Sequence, residues 1–300
     1  CCAPRDDLPA RRAGSARLPD AALGEEFRRA SHRVGRPLGT CGRQESGRKA
    51  LRGDGQRLQR RATHSHHRRH QDAGPDHRRL EGIAAASDGG FWLASEGNPE
   101  RSLRNRLIRV DAKGAIIEEI TLPAGLEEGA KNYGFEGVAV TGTGADEIVW
   151  LAVQREWADD PKGQVKLLAY TPADKSWGAV RYPLDKPEAG WIGLSEITAL
   201  GDRVILIERD NQIAEKASVK KLYAVPAADM KPVPLAKDLP LVRKNALRDL
   251  LPDLKAPKGY VLDKAEGFAV DAAGDAFLVT DNDGVDESSG ETQFLKLGKF

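Results

Sequence analysis

From residue 80 onwards, short apolar runs alternate with polar turns at regular intervals along the chain. Each unit has a short apolar run, a turn containing Gly or Asp, and then a continuous apolar run typical of a buried strand. Two such runs joined by a turn predict a β-hairpin. The hairpin recurs four times, as LEGIAAASDGGFWLASEGN from Leu80, FEGVAVTGTGADEIVWLAVQRE from Phe135, LSEITALGDRVILIERDN from Leu194 and AEGFAVDAAGDAFLVTDND from Ala265.

A second pair of strand-like runs follows each of the first three hairpins, the third pair being KKLYAVPA and MKPVPLAKD, whereas the last hairpin is followed only by TQFLKLGKF. Repeats of four short strands at intervals of roughly 40–70 residues are typical of a β-propeller, in which each repeat forms one blade. The sequence therefore predicts an all-β propeller with four recognisable blades, the last incomplete, in a truncated or open ring. Residues 241–254 carry apolar positions at helical spacing and predict a short inter-blade helix.

The alternative fold is a two-sheet sandwich in which the Glu-Gly dipeptides recur by coincidence. A glutamate nevertheless stands at the same place before a buried strand in every repeat, at Glu81, Glu136, Glu196 and Glu266. This recurrence favours the propeller.

Residues 1–80 differ from the rest of the chain in composition. They contain eighteen arginines, one lysine and nine acidic residues, which gives a net charge of +10 against −9 for residues 81–300. All six histidines and all three cysteines also lie before residue 81. Without an apolar period of 2 or 3.6, this segment could bury almost no surface. We therefore predict a disordered or out-of-frame Arg/His-rich segment over 1–80 and a propeller domain over 81–300.

The sequence gives little support to three other roles, namely membrane insertion, nucleic-acid binding and transition-metal binding. No apolar run approaches the length of about 18 residues that a membrane span needs, and no signal peptide is visible. Nucleic-acid binding by residues 1–80 is disfavoured because the segment has one aromatic residue, Phe27, and no periodic basic face. The HSHHRRH tract at 64–70 could bind a transition metal, but only loosely.

The four repeated glutamates predict a site at one rim of the propeller channel. The first strand of a blade lines the channel, so these carboxylates would repel one another unless a cation or water compensated them. The second strands end near the same rim, where they place Glu96, Asn98, Arg155, Glu156, Glu208, Arg209, Asp210, Asn211, Asp281, Asn282 and Asp283.

Oxygen ligands of this kind suit Ca²⁺ or Mg²⁺ rather than zinc. We predict a divalent cation, with Ca²⁺ as the first choice. Its predicted ligands are Glu81, Glu136, Glu196, Glu266, Asp210, Asp281 and Asp283. The alternative for each glutamate is a structural role, in which its carboxylate accepts backbone N–H groups at a blade corner.

Residues 81–300 contain neither His nor Cys, which excludes Ser-His-Asp and Cys-His nucleophilic catalysis and a zinc site from this region. A metal at the rim could instead polarise a phosphoryl oxygen, with Arg155 or Arg209 holding an anionic substrate. Glu136 and Glu266 complete the predicted catalytic set.

The segments GFEGVAV at 134–140 and KAEGFAVDAAGDAFLVTDNDGVDESSGETQFLKLG at 264–298 resemble the phytase-like family, described by the esterase-like activity of phytase. The resemblance covers about residues 81–300. It implies a propeller that is exported to the periplasm or secreted, and hydrolysis of a phosphate or carboxylate ester, with a small anionic ester as substrate. The alternative is a non-catalytic propeller that binds a ligand or protein and holds a structural metal. The exposed strand edges of an open ring also predict oligomerisation.

Overall fold

The computed structural model describes residues 79–98, 102–130, 133–235, 238–257, 261–262, 264–281 and 292–300. Four antiparallel sheets in a ring form a four-bladed β-propeller, which confirms the predicted fold class. The strands are Arg79–Ala85 (β1), Phe91–Glu96 (β2), Arg106–Val110 (β3), Ile116–Thr121 (β4), Phe135–Thr141 (β5), Ile148–Val153 (β6), Gln164–Thr171 (β7), Ser176–Pro183 (β8), Ile192–Leu200 (β9), Arg203–Asp210 (β10), Lys220–Pro226 (β11), Val233–Pro234 (β12), Asn245–Asp249 (β13), Lys264–Val270 (β14), Asp275–Asp281 (β15) and Phe294–Lys299 (β16). The helices are Ala124–Glu127 (α1) and Leu251–Lys255 (α2), and 3₁₀ turns cover Gly144–Asp146, Ala214–Lys216 and Ala227–Asp229.

Each blade begins with its innermost strand and proceeds outwards. Blade 1 contains β1 to β4, and blade 2 contains β5 to β8 with β12 added at its outer edge. Blade 3 contains β9, β10, β11 and β13, while blade 4 has only β14, β15 and β16 among the described residues. The predicted hairpins are therefore the inner halves of the blades, and the fourth blade is the incomplete one.

The structure corrects two predictions about outer strands. The run MKPVPLAKD was predicted to complete blade 3, but Val233 within it pairs with Ala179 of blade 2. Blade 3 is completed instead by β13, which lies in the segment predicted to be a helix, and only α2 is helical there. The side chains of β13 are largely exposed, so a helix would gain little by burying them, whereas pairing with β11 satisfies the backbone of both strands.

Three apolar clusters hold the blades together face to face. The first joins blades 1 and 2 through residues such as Trp92 and Leu151. The second joins blades 2 and 3, and the third joins blades 3 and 4 through residues such as Ile205 and Phe268. Within the described ranges no fourth cluster joins blade 4 to blade 1, and we call this junction the seam.

None of the helices in the described part of the chain combines the length and the apolar character that crossing a membrane requires.

Candidate functional site

Three of the four repeated glutamates lie at β-bulges in the innermost strands. The pairing register of β1, β5 and β14 with the next strand skips one residue each time. The skipped residues are Glu81, Glu136 and Glu266. Because a bulge re-aims the side chain of its extra residue, this local irregularity directs the three carboxylates to a common place.

Blade 3 departs from this arrangement by one residue. Glu196 pairs regularly with Ile207, and the residue skipped in the register of β9 is Ser195. The Ser195 hydroxyl donates a 2.6 Å hydrogen bond to the carbonyl of Ala265 in blade 4. The sequence LSEI thus places serine where the other repeats have glutamate, and Glu196 where they have glycine. For this reason the structure does not bring Glu196 into the cluster.

The cluster itself consists of Glu81, Glu136 and Glu266. Each offers a carboxylate oxygen, and these oxygens lie within 4.8 Å of one another. Glu136 is buried, and the side-chain amide of Gln154 donates to its carboxylate at 2.5 Å. Arg209 donates to Glu266 at 2.9 Å. Three blades therefore supply one carboxylate each to a single point in the ring.

A cavity of about 170 Å³ opens at this cluster. Its wall is almost entirely polar apart from one indole ring. The lining residues are Arg79, Glu81, Glu96, Glu136, Gln154, Trp191, Arg209 and Lys264. Three of these residues, Glu96, Gln154 and Arg209, occupy equivalent positions at the ends of the second strands. The cavity is therefore built from the start of the first strand and the end of the second strand in successive blades.

Burial opposes the ionisation of all three carboxylates. It raises the pKa of Glu81 to about 7, against the opposing charge of Arg79. Burial raises the pKa of Glu136 well above its ordinary value, and the negative charges of Glu266 and Glu96 add to the effect. The pKa of Glu266 is also raised by burial, although Arg209 and Lys264 counteract it. Protons or a cation would therefore stabilise this cluster.

Positive groups surround the cluster without filling it. Arg79 bridges Glu96 at 2.6 Å and Glu81 at 3.5 Å. The Lys264 ammonium nitrogen lies 3.9 Å from a carboxylate oxygen of Glu266, and Lys264 precedes Glu266 by two positions in β14. These cations would attract an anionic ligand to the same cavity.

Several predicted site residues lie elsewhere. Asp210 is buried away from the cluster, where its carboxylate accepts hydrogen bonds from Lys220 at 2.9 Å and from the backbone of Ser218 at 2.7 Å. Asp281 is close to the cluster although it is not among the described lining residues: it ends β15 opposite Lys264, and its charge adds to the burial that raises the pKa of Glu266. Asp283 lies outside the described residues. Arg155 does not line the cavity but packs behind it, against Trp191.

Sequence reasoning missed four residues of the cavity wall, namely Arg79, Gln154, Trp191 and Lys264. A signal for two of them was present, since a basic residue stands two positions before the glutamate in the first and last repeats, as Arg79 and Lys264. Residues two apart on a strand share a face. Gln154 directly precedes Arg155, the residue that was chosen from the same strand end.

Comparison with known proteins gives one family and several solved structures, of which two of low sequence identity are described below. The family model "Phytase-like: Esterase-like activity of phytase" matches residues 39–284. A protein of unknown function from Bacteroides caccae matches with 9% identity and a TM-score of 0.35, over 74% of this chain and 62% of that one. The extracellular domain of a proposed one-component system from B. thetaiotaomicron matches with 11% identity and a TM-score of 0.34, over 77% of this chain and 32% of that one. The chain thus spans less than two thirds of either structure. No curated protein sequence matches it significantly.

Proposed function

Because the chain belongs to the phytase-like family, whose members are described by the esterase-like activity of phytase, we propose that it hydrolyses phosphate or carboxylate esters. The reaction would take place at Glu81, Glu136 and Glu266 with the help of a divalent cation, Ca²⁺ in the first place. One observation carries this proposal: three carboxylates from three blades converge within 4.8 Å at a cavity that also presents Arg209 and Lys264. Export to the periplasm or secretion is proposed from the family alone.

The donor set fits a hard divalent cation. It consists of carboxylate oxygens alone, which Ca²⁺ and Mg²⁺ prefer. The Gln154 amide donates a hydrogen bond that holds the Glu136 carboxylate in place, as the hydrogen-bonded neighbours of metal ligands commonly do. When bound, such a cation would supply Lewis-acid activation of the ester.

The side chains of the cavity would bind the substrate and move protons. Arg209 and Lys264 lie beside Glu266 at 2.9 and 3.9 Å, and supply the positive charge that an anionic ester requires. Burial raises the pKa of Glu81 to about 7 in the metal-free cavity, so near neutral pH this carboxyl exchanges a proton with solvent. A bound cation would favour its ionised form and release that proton.

The test is hydrolysis of p-nitrophenyl phosphate and p-nitrophenyl acetate by the full chain, first with Ca²⁺ and then with a chelator. Glu136→Gln and Glu266→Gln should each lower turnover by about 100-fold or more, because each removes a carboxylate from the cluster. The control is Glu118→Gln, which changes a surface carboxylate paired with Lys175. Turnover that survives both cluster variants would refute the site, and turnover that survives the chelator would refute the role of the cation.

A non-catalytic binding propeller is the second candidate. Arg79, Arg209 and Lys264 already form ion pairs with the acidic residues of the cavity, so the charge there is partly balanced. A folded chain whose Tm rises with Ca²⁺ but that turns over neither ester would favour this function.

A further inference from the structure

Arg155 packs against Trp191, one of the residues that line the cavity. Its guanidinium carbon is 4.3 Å from the ring centroid of Tyr133 and 4.7 Å from that of Trp191. The two ring centroids are 5.9 Å apart and the rings are tilted by 54°. The guanidinium is therefore held in an aromatic corner, which fixes its plane and removes part of its water.

Among the described residues, Arg155 makes no hydrogen bond and no ion pair, and its buried Nε has no acceptor. The two arginines that line the cavity differ from Arg155 in making ion pairs, Arg209 with Glu266 and Arg79 with Glu96. A guanidinium carries five N–H donors, and a buried donor without an acceptor is costly. The terminal nitrogens of Arg155 are not buried, in contrast to Nε, so an anion from solution can accept hydrogen bonds from them.

The aromatic corner is joined to the ester cavity. Trp191 lines that cavity, and the Arg209 guanidinium lies 5.5 Å from the centroid of the same indole. The side chain of Asn211 accepts a hydrogen bond from the Trp191 backbone at 3.0 Å and thereby holds this residue. Gln154, which donates to Glu136, is the residue immediately before Arg155. A ligand that extends past Trp191 would therefore contact both the ester cavity and the aromatic corner around Arg155.

We propose that Arg155, Tyr133 and Trp191 form an oxyanion subsite that binds a carboxylate or phosphate group. The substrate class that fits both places is an ester with a second acidic group apart from the ester bond. Assigning the anion to a substrate rests on the proposed function, whereas the binding of an anion by Arg155 does not. A charge-assisted hydrogen bond to a partly desolvated guanidinium is stronger than one made in open solvent.

The subsite is tested by titrating the full chain with inorganic phosphate and, separately, with acetate, followed by tryptophan fluorescence and calorimetry. Arg155→Met keeps much of the side-chain volume but removes every donor, and should weaken binding of the preferred anion at least 10-fold. Arg155→Lys keeps the charge and should give an intermediate loss. Arg243→Met is the control, because Arg243 is exposed and pairs with Asp229. The proposal is overturned if the wild-type chain binds neither anion, or if Arg155→Met binds both as tightly as the wild type.

Failure of the subsite and failure of the ester site can be told apart. Glu136→Gln should abolish turnover and leave Arg155-dependent anion binding in place. Anion binding without any turnover would refute the ester hydrolase and keep the subsite. If the chain hydrolyses a succinate monoester and Arg155→Met leaves its KM unchanged, the anion does not belong to the substrate and that assignment is wrong. A far-UV spectrum and Tm for each variant establish that it has folded.

Discussion

A glycine follows the bulged glutamate in blades 1, 2 and 4, and in blades 1 and 2 its missing side chain lets the next blade approach. A Cβ atom on Gly82 would lie 2.8 Å from the backbone nitrogen of Val138, in the next inner strand. A Cβ on Gly137 would lie 2.7 Å from the backbone nitrogen of Ile197, again in the next inner strand. Among the described residues Gly267 meets no such neighbour, since the contact found for its Cβ is with Val279 of its own blade.

Gly137→Ala should therefore lower stability more than Gly267→Ala. The methyl group at residue 137 would collide with backbone that two blades hold in place, and we expect a loss of about 1–3 kcal/mol. At residue 267 a rotation of the Val279 side chain can relieve the contact, so the loss should be smaller. Urea denaturation of the two variants measures the difference. An equal or larger loss for Gly267→Ala would mean that another part of the chain packs on β14.

Glu196 occupies the glycine position of blade 3, and burial raises its pKa to about 8 from an ordinary value near 4.5. Between these two values the unfolded chain is ionised at this residue while the folded chain retains the proton. The contribution of Glu196 to stability is thus fully present below about pH 4.5 and is lost as the pH rises through 8.

Replacing Glu196 by Gln should remove this pH dependence. In metal-free protein we expect Glu196→Gln to stabilise the fold by about 2 kcal/mol at pH 9, after allowing for solvent screening at a partly exposed group, and by much less at pH 6. Gln can still accept the 2.7 Å hydrogen bond from the Ile197 backbone. Denaturation at the two pH values measures the effect, and a variant that is no more stable than the wild type at pH 9 would contradict it.

At the scale of single elements, the loop between β10 and β11 depends on a buried ion pair. Lys220 and Asp210 are both fully buried, 2.9 Å apart, and the backbone amides of Ser218 and Val219 also donate to Asp210. Although burial opposes it, these contacts hold the pKa of Asp210 below its ordinary value. The carboxylate thus organises a loop.

Lys220→Met should destabilise the chain by about 3–5 kcal/mol, because it leaves the Asp210 carboxylate buried without its partner. Lys175→Met is the matched control: its pair with Glu118 is exposed, and its loss should cost less than about 1 kcal/mol.

Because Asp210 lies away from the carboxylate cluster, the increase in Tm that Ca²⁺ produces in Asp210→Asn should equal that of the wild type. A smaller increase would mean that Asp210 does bind the cation.

The inner hairpins were predictable because their information is local. Apolar runs such as IVWLAV are buried on both faces, and the Gly and Asp turns between them mark the hairpin ends. The outer strand β13 was not predictable in this way. Its residues are exposed and lack a strand pattern, and it forms because β11 offers an unpaired edge. Whether such a segment forms a strand depends on a pairing partner that is distant in the sequence.

The same distinction applies to the candidate site. Recurrence of the Glu-Gly pair pointed to Glu81, Glu136 and Glu266, which the structure brings together. The alignment of the repeats on their glutamates also predicted Glu196, although Ile197 and not a glycine follows it, and this alignment hides the one-residue offset that the β9 register reveals. Trp191 belongs to no repeated motif, and its place in the wall follows from the packing of blade 3 against blade 2.

At the scale of the whole molecule, the described residues form three apolar inter-blade clusters for four blades. Ala84 of β1 packs on the cluster between blades 1 and 2, so the next residue along the strand, Ile83, faces the seam. Leu295 and Leu297 of β16 pack on the cluster between blades 3 and 4, so Phe294 faces the seam from the other side. Ile83 is 66% exposed and Phe294 is 70% exposed.

These two faces predict self-association of the full chain. Phe294 stacks on Phe277 at 5.5 Å, so blade 4 presents an aromatic surface, and no described strand covers the outer edge of β16. Exposed apolar faces beside an unpaired strand edge favour contact with other chains.

The double variant Ile83→Lys/Phe294→Lys should shift the chain towards monomer at micromolar concentrations in sedimentation velocity. Ile213→Lys, which changes an exposed isoleucine in the β10–β11 loop, is the control and should leave the distribution as it is. A wild-type chain that is already monomeric would show that the seam is covered within one molecule, and equal effects of the two substitutions would show that association does not depend on the seam.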